Sequence, residues 1–314
     1  MHCPRPIVPP PLTLLFLLLA VANAAYTCVN FDVPLSFTAE SYPVKFPEFQ
    51  DHYQSVAFVT ALTGRDSLGS PVGAPVNITL DVSVAAQYCS PNRAKKPKAV
   101  QVLTHGLGFD HSYWDFGGPD SEYNYIKAAT EAGYSTLSYD RIGTGQSTIA
   151  DPYTEEQLGV EVTVAASLTT LLRGGKLSAI AGSHIPTPKK VFHVGHSYGS
   201  LITGTLAGSA PELSDGIILT GYSTYTPYAL FFAAGTNFHL ASENQPERFA
   251  GWSTGYLTWA DELANQYAFL HYPAFDPAVL AAAEANKFPF AIGELLSPYD
   301  TKQPGWKGPL LVGQ

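Results

Sequence analysis

The chain has 314 residues, with 26 acidic and 17 basic side chains, and its net charge is −9 at neutral pH. This acidic balance argues against nucleic acid or an anionic membrane surface as a partner, and the length suits one main domain with additions. The sequence has no P-loop, no G-x-G-x-x-G dinucleotide loop and no cysteine or histidine spacing typical of a metal site. It therefore implies neither a cofactor nor a metal.

Residues 1–24 are predicted to be a secretory signal peptide. Arg5 provides a positive start, Leu12 to Ala22 form a short apolar run, and Ala22-Asn23-Ala24 matches the small-residue pattern of a cleavage site. A membrane anchor is the alternative, but the apolar run is too short to cross a bilayer and follows several prolines. We therefore expect a secreted protein without a membrane anchor.

Residues 25–98 are predicted to form an N-terminal extension and the first strands. Cys3 leaves with the signal peptide, so Cys28 and Cys89 remain, and an even pair in an oxidising compartment predicts a disulfide between them. The alternative is that one of them pairs with a cysteine of a C-terminal segment outside this sequence. Asn77-Ile78-Thr79 is an acceptor sequence for glycosylation, which we also expect in a secreted protein.

Strands and helices are predicted to alternate through residues 99–224. Short apolar runs indicate buried strands at 99–104, 134–139, 189–194 and 216–220. Helical patterns lie at 123–132, 155–172 and 200–207. Such alternation predicts right-handed crossovers and an α/β fold with a doubly wound, mostly parallel sheet that is covered on both faces. This segment is expected to be the core of the protein.

The third predicted strand runs into Gly195-His196-Ser197-Tyr198-Gly199, and a helix follows. Strand, G-x-S-x-G and helix, in that order, are the context of a nucleophilic serine. Gly195 and Gly199 have no side chains, so the backbone can turn sharply and the helix can pack close to the sheet. The turn leaves the Ser197 hydroxyl at a helix N-terminus, where the dipole favours a developing negative charge. Ser197 is therefore predicted to be the catalytic nucleophile.

Two further loops complete a family pattern. His105-Gly106-Leu107-Gly108 follows the first predicted strand, and the segment DRIGTGQS, residues 140–147, follows the second. With HGLG, DRIGTGQS and GHSYG in this order, the chain resembles the α/β-hydrolase family over residues 76–314. The N-terminal part is similar to secreted fungal members. The motifs are specific to the family but not to a substrate.

The resemblance implies an oxyanion hole made of the backbone N–H groups of Tyr198 and Leu107. Each donor of this kind stabilises the tetrahedral oxyanion by roughly 3 kcal/mol. Residues 140–147 are interpreted as a rigid turn that shapes the floor of the pocket. The residues flanking the nucleophile and the hole are expected to form the supporting turns: His105, Gly106, Gly108, Gly195, His196 and Gly199.

The resemblance also implies a helical lid at residues 225–304 and an acid-bearing strand that begins within 305–314. In the family the order is serine, acid, histidine, with the acid after this strand and the histidine after the last strand, and this chain stops at Gln314 before either position. We therefore expect a chain that lacks the last strand and helix of the fold. A truncated chain and a natural non-catalytic relative both fit this pattern. His239 and His271, which follow Ser197, are interpreted as ordinary lid residues.

Together these features predict a secreted serine hydrolase that acts on a small-molecule carboxylic ester through an acyl-enzyme. A peptidase of the same fold and a catalytically inactive binding protein are the alternatives. The aromatic side chains of the expected lid suit an apolar or aromatic acyl group, or simply form the core of the lid itself. No oligomeric state is implied.

Overall fold

A computed structural model of the chain describes residues 26–64, 69–92, 97, 99–225, 229–299 and 305–313. The strands are β1 (Tyr26–Ser41), β2 (Val76–Pro91), β3 (Val100–Thr104), β4 (Ser135–Tyr139), β5 (Val191–His196), β6 (Gly216–Thr220), β7 (His239–Leu240), β8 (Tyr256–Thr258), β9 (Phe290–Ala291) and β10 (Leu310–Gly313). The helices are α1 (His52–Leu62), α2 (Tyr125–Glu131), α3 (Leu158–Arg173), α4 (Leu177–Ala181), α5 (Tyr198–Ser209), α6 (Ala229–Thr236), α7 (Ala241–Asn244), α8 (Pro246–Phe249), α9 (Glu262–Phe269), α10 (Pro277–Ala285) and α11 (Ile292–Leu296). Short 3-10 turns lie at His111–Asp115 and Pro211–Leu213. The predicted signal peptide lies outside the described residues.

Seven strands of the described chain form one sheet, in the order β1-β2-β4-β3-β5-β6-β10. The strands from β4 to β10 in this order run parallel, whereas β2 pairs antiparallel with both β1 and β4. Every residue of β3 and β4 is buried, as expected for parallel strands whose two faces are both covered. The predicted α/β fold with a doubly wound, mostly parallel sheet is confirmed.

Two apolar clusters cover opposite faces of this sheet. Val102 of β3 belongs to the larger cluster, with Leu168 of α3 and Ile202 of α5. Its neighbour Leu103 packs instead with Ile126 of α2 in the second cluster. Successive residues of a strand point to opposite faces, so this division shows that helices cover the sheet on both sides.

The N-terminal strands form a long antiparallel ribbon that extends the sheet. β1 and β2 are paired in register along their whole length, and Cys28 lies opposite Cys89 in this register. The two Cα atoms are 4.0 Å apart, and a disulfide joins the residues, which confirms the predicted pairing. Asn77 is exposed at the start of β2, and its glycosylation stays a prediction.

One predicted helix begins later than its pattern indicated. α3 begins at Leu158, whereas the sequence analysis began the helix at Glu155. The Asp151 carboxylate accepts a hydrogen bond from the Thr154 N–H at 2.8 Å, and such a side-chain bond holds a local turn in place of a helix. Glu156, near the end of this turn, is fully buried.

The chain between β6 and β10 forms a lid that contains a small sheet as well as helices. β7, β8 and β9 pair antiparallel, and strands of two or three residues are too short for a sequence pattern to reveal. The core of the lid is aromatic, with Phe238, Trp259 and Phe290 buried, and Phe58 of α1 joins it. No helix within the described ranges has the length and apolar character needed to cross a bilayer.

Replacing both Cys28 and Cys89 by alanine should lower the free energy of unfolding. The bridge joins residues with a sequence separation of 61, and the entropy of closing such a loop corresponds to about 4 kcal/mol. Urea unfolding of the oxidised wild type and of the double variant measures the difference. A loss below about 1 kcal/mol would show that ribbon pairing alone fixes these strands.

Candidate active site

Ser197 lies at the sharp turn between β5 and α5, with φ 52° and ψ −118°. A positive φ is uncommon for a residue with a side chain, and it persists where the surrounding contacts hold the backbone. The Ser197 N–H donates to the Thr220 carbonyl at 2.8 Å. The Ser200 hydroxyl donates to the same carbonyl at 2.9 Å and accepts from the Thr220 N–H at 3.0 Å. Hydrogen bonds to the backbone of Thr220, at the end of β6, therefore hold the serine turn in place.

Three glycines allow this turn because the neighbouring backbone leaves no room for a side chain. A Cβ atom on Gly195 would lie 2.3 Å from the Gly199 carbonyl oxygen, and one on Gly199 would lie 2.1 Å from the Thr104 carbonyl oxygen. A Cβ atom on Gly106 would lie 3.0 Å from the Ser197 Cβ. The serine turn and the HGLG loop are thus in direct contact.

The two residues whose N–H groups are expected to form the oxyanion hole lie beside the same cavity. Leu107 and Tyr198 line one cavity together with Ser197. Tyr198 is the first residue of α5, and the N–H groups in the first turn of a helix have no partner inside the helix. Within the described part of the chain, no hydrogen bond takes up the Leu107 N–H. The Leu107 and Tyr198 N–H groups are therefore the candidate donors to a ligand oxygen beside Ser197.

The cavity beside Ser197 has a volume of about 470 Å³. Its walls come from the core, from α1 and from the lid, and most of the lining side chains are apolar or tyrosine, among them Leu62, Leu201, Tyr222, Phe232, Phe238 and Tyr299. Glu294 is the one charged residue among the described residues of the lining. This lining suits an apolar ligand.

The segment that builds this site matches the alpha/beta hydrolase family over residues 101–312. The chain belongs to this family. The match begins in β3 and ends in β10, so it includes the serine turn, the HGLG loop and the lid. No curated protein matches the chain significantly.

Solved hydrolases resemble the chain at low sequence identity. A hydrolase from Pseudomonas aeruginosa is 20% identical, with a TM-score of 0.47, over 74% of this chain and 76% of that one. A thermostable carboxyl esterase from Bacillus coagulans is 18% identical, with a TM-score of 0.42, over 68% of this chain and 66% of that one. Est1E from Butyrivibrio proteoclasticus, solved with ferulic acid, is 17% identical, with a TM-score of 0.33, over 44% of this chain. The match covers only 49% of Est1E and 37% of a probable hydrolytic enzyme from Pseudomonas aeruginosa.

An arginine and three glutamates are buried together behind the serine turn of this alpha/beta hydrolase. The Arg141 guanidinium contacts Glu161 at 3.1 Å and also contacts Glu294, and all three side chains are fully buried. Burial raises the pKa of Glu161 to about 8, and burial together with the Glu294 charge raises the pKa of Glu156 well above its ordinary value. The cluster therefore contains the Arg141–Glu294 ion pair and two carboxyl groups whose raised pKa values favour the neutral form.

The same carboxyl groups have a spacing that would also suit a cation. One oxygen from each of Glu156, Glu161 and Glu294 lies within 4.8 Å of the others. Arg141 already lies against two of these residues and supplies a positive charge among them. A divalent cation bound by these carboxylates would lie close to the buried guanidinium, and the two positive charges would repel each other strongly. The donor set therefore fits an arginine better than a metal ion.

The histidines of the supporting turns are held by their own contacts. His105 is fully buried, its Nδ1–H donates to the Gly106 carbonyl at 2.9 Å, and its Nε2 accepts from the Arg141 N–H at 3.1 Å. Burial and the Arg141 charge lower the pKa of His105 to about 3, so the ring is neutral and both nitrogens are engaged. The His196 ring stacks on Tyr113 with 4.6 Å between centroids, and burial lowers its pKa to about 4.

The two lid histidines lie elsewhere. His239 begins β7, and its ring centroid is 6.3 Å from that of His52 in α1. His271 is exposed in the turn after α9. Neither lines the cavity with Ser197, and no histidine occurs among the described residues of that lining.

A histidine–aspartate pair that was not predicted from the sequence joins the turns after β3 and β4. The His111 Nδ1–H donates to Asp140 Oδ1 at 2.6 Å, and the His111 backbone N–H donates to the same oxygen at 2.8 Å. The Asp140 side chain is 1% exposed, and its other oxygen accepts from the Gln146 N–H at 2.8 Å. The sequence feature that could have indicated this pair is Asp140 of DRIGTGQS, because a buried carboxylate at this position requires hydrogen-bond donors from a neighbouring loop.

This pair should make the stability of the protein depend on pH. Burial alone would lower the pKa of His111, but the hydrogen bond with Asp140 and the nearby acidic charges raise it above its ordinary value. Burial alone would raise the pKa of Asp140, but His111 and backbone N–H groups hold it below its ordinary value. The stabilisation is therefore complete between about pH 4 and pH 6.5. It is lost as the pH rises through the raised pKa of His111 or falls through the lowered pKa of Asp140.

The variant His111→Ala should lose about 1.5 to 3 kcal/mol of unfolding free energy at about pH 5.5, the range of a hydrogen bond to a charged group. Its loss at about pH 9 should be smaller, because the charge of the wild-type histidine is lost as the pH rises through its raised pKa. Urea unfolding of both proteins at the two pH values provides the comparison. An equal loss at both would show that His111 contributes through packing alone.

Proposed function

We propose that this chain is a secreted serine hydrolase that cleaves carboxylic esters through an acyl-enzyme on Ser197. The observation that carries the proposal is the contact between the strained serine turn and Gly106, with Leu107 and Tyr198 lining the same cavity. The predicted signal peptide supports secretion, and the disulfide between the N-terminal strands fits an oxidising compartment.

In the proposed reaction, Ser197 Oγ attacks the carbonyl carbon of the ester. The carbonyl oxygen becomes an oxyanion that accepts hydrogen bonds from the Leu107 and Tyr198 N–H groups, each worth roughly 3 to 4 kcal/mol in the transition state. The N-terminal end of the α5 dipole lies on the same side and favours this charge. The tetrahedral intermediate collapses with cleavage of the bond to the alkoxy oxygen, which takes up the proton lost by Ser197 and leaves as the alcohol. Water then attacks the acyl-enzyme, which releases the carboxylic acid and returns a proton to Ser197 Oγ.

The serine hydroxyl must also lose its proton, and in such sites the base is usually a histidine that an acid orients. The described lining of the cavity contains no histidine, and Asp140 is engaged with His111 in the neighbouring turn. We therefore propose that the acid and the histidine of the triad are not among the described residues.

The acyl group of the substrate is proposed to be uncharged and apolar or aromatic. Phe232 and Phe238 of the lid and Leu201 of α5 contribute apolar walls to the cavity. No lysine or arginine occurs among the described lining residues, and the charge of Glu294 is taken up by Arg141. A carboxylate on the acyl group would therefore lose its hydration without gaining a cationic partner.

A ligand-binding protein without catalysis is the second candidate. The lack of a histidine in the described cavity lining is the observation that favours it. This candidate shares the fold, the cavity and the preference for neutral ligands, and it differs in one property, which is that Ser197 would form no acyl-enzyme.

A fluorophosphonate probe distinguishes the two candidates, because it reacts with an activated serine. The wild type should be labelled on Ser197, Ser197→Ala should remain unlabelled, and hydrolysis of p-nitrophenyl esters should fall on the order of 10³-fold or more in this variant. Ser209→Ala is the matched control, since Ser209 is exposed at the far end of the same helix. Retained binding of a neutral ester by an unlabelled wild type would favour the binding protein.

A further inference from the structure

Arg141 contacts both halves of the proposed oxyanion hole. Its guanidinium donates to the Gly106 carbonyl at 3.3 Å, and its backbone N–H donates to His105, whose Nδ1–H donates to the same carbonyl. The guanidinium carbon also lies 5.2 Å from the centre of the Tyr198 ring. One fully buried side chain therefore touches the HGLG loop and the first residue of α5 together.

The carbonyl that Arg141 contacts is part of the peptide group that carries the Leu107 N–H. This peptide is trans, so the Gly106 C=O and the Leu107 N–H are coplanar and point in opposite directions. Hydrogen-bond donors that hold the Gly106 carbonyl oxygen toward Arg141 therefore also hold the Leu107 N–H pointing away from Arg141. A hydrogen bond on the carbonyl also polarises the peptide and strengthens the N–H as a donor.

The guanidinium itself is held by the lid. Glu294 of α11 is an ion-pair partner of Arg141, and it lines the cavity as well. The second Glu294 oxygen accepts the Ala291 N–H at 2.8 Å, which fixes this carboxylate at the start of α11. The position of Arg141 therefore depends on this contact between the lid and the core.

We infer that Arg141 is a positioning residue, which aims the Leu107 N–H at the developing oxyanion and is itself held by Glu294 of the lid. The inference rests on the proposed role of Ser197. A buried ion pair thereby connects the lid to the oxyanion hole, and a lid that moves away from Arg141 would release the hole.

The test replaces both partners, as Arg141→Gln with Glu294→Gln, so that neither charge is left buried without its partner. We expect kcat for p-nitrophenyl esters, and the rate of phosphonylation by a fluorophosphonate, to fall by roughly 10²-fold, as for other small misplacements of catalytic groups. KM should stay at the wild-type value, because the N–H of the Gly106–Leu107 peptide stabilises the oxyanion of the transition state and not the bound ester. A general distortion of the cavity would raise KM instead.

The matched control is Arg173→Gln with Asp215→Asn. Arg173 and Asp215 form a partly exposed ion pair at 2.6 Å, and Asp215 also accepts from the Val191 N–H at the start of β5, the end of that strand opposite Ser197. This control removes an arginine–carboxylate pair of the same kind and should leave kcat and KM unchanged. A similar fall of kcat in both double variants would overturn the inference.

Glu294→Gln alone provides a gentler variant if the double variant does not fold. Removing the Glu294 charge, which raises the pKa of Glu161, favours ionised Glu161 as the partner of Arg141. We therefore expect kcat to fall less than in the double variant, again without a change in KM. Glu161→Gln should lower kcat less still, because burial raises the pKa of Glu161 and favours its neutral form while Glu294 is present. A larger loss for Glu161→Gln than for Glu294→Gln would contradict the assigned partner.

Crystal structures of the wild type and the double variant separate this inference from the proposed function. The Gly106–Leu107 peptide should point its N–H into the cavity in the wild type and rotate away in the variant. An unchanged peptide in the variant would overturn the role of Arg141, whether or not the wild type reacts with the probe. Absence of labelling in the wild type would instead reject the proposed function of Ser197.

Discussion

The close approach of α5 to the end of β3 is the constraint on which the site depends. Gly199 lies so near the Thr104 carbonyl that a Cβ atom there would be 2.1 Å from its oxygen. With helix and strand in contact, the backbone at Ser197 cannot relax to a negative φ. The same contact brings the loop after β3 beside the serine, so Leu107 and Ser197 share one cavity wall. Residues far apart in sequence meet here because parallel strands end at a common edge of the sheet.

The charges behind this edge follow from the same close packing. A fully buried guanidinium is tolerated only with partners, and Arg141 has them in Glu294, Glu161 and the Gly106 carbonyl. Burial raises the pKa values of Glu156 and Glu161 and so favours their neutral forms, which limits the negative charge of the cluster. Arg141 and Glu294 are 153 residues apart in sequence. Their ion pair therefore ties the lid to the core with a directional contact, in addition to apolar packing.

The predictable parts of this protein are those encoded by contiguous residues. The core strands and the serine turn at Ser197 follow from local patterns, and the disulfide at Cys28 follows from a cysteine count. The small sheet of the lid was not predicted, because strands of two or three residues are too short to show an alternation of apolar and polar residues. The partners of Arg141 and Asp140 were also missed, since a pairing across distant loops leaves no local signature. Glu294 becomes a partner of Arg141 because the fold buries both side chains together, and the sequence around Glu294 does not indicate this burial.

The central claim is that Ser197 and the two backbone N–H groups form one oxyanion site, and a crystal structure of the phosphonylated protein tests it most directly. The account predicts phosphorus bound to Ser197 Oγ, with the phosphoryl oxygen about 2.7 to 3.1 Å from the Leu107 and Tyr198 nitrogens. The alkyl group should lie against Phe232 and Phe238 in the cavity. A phosphoryl oxygen turned toward solvent, or an adduct on another residue, would contradict the account.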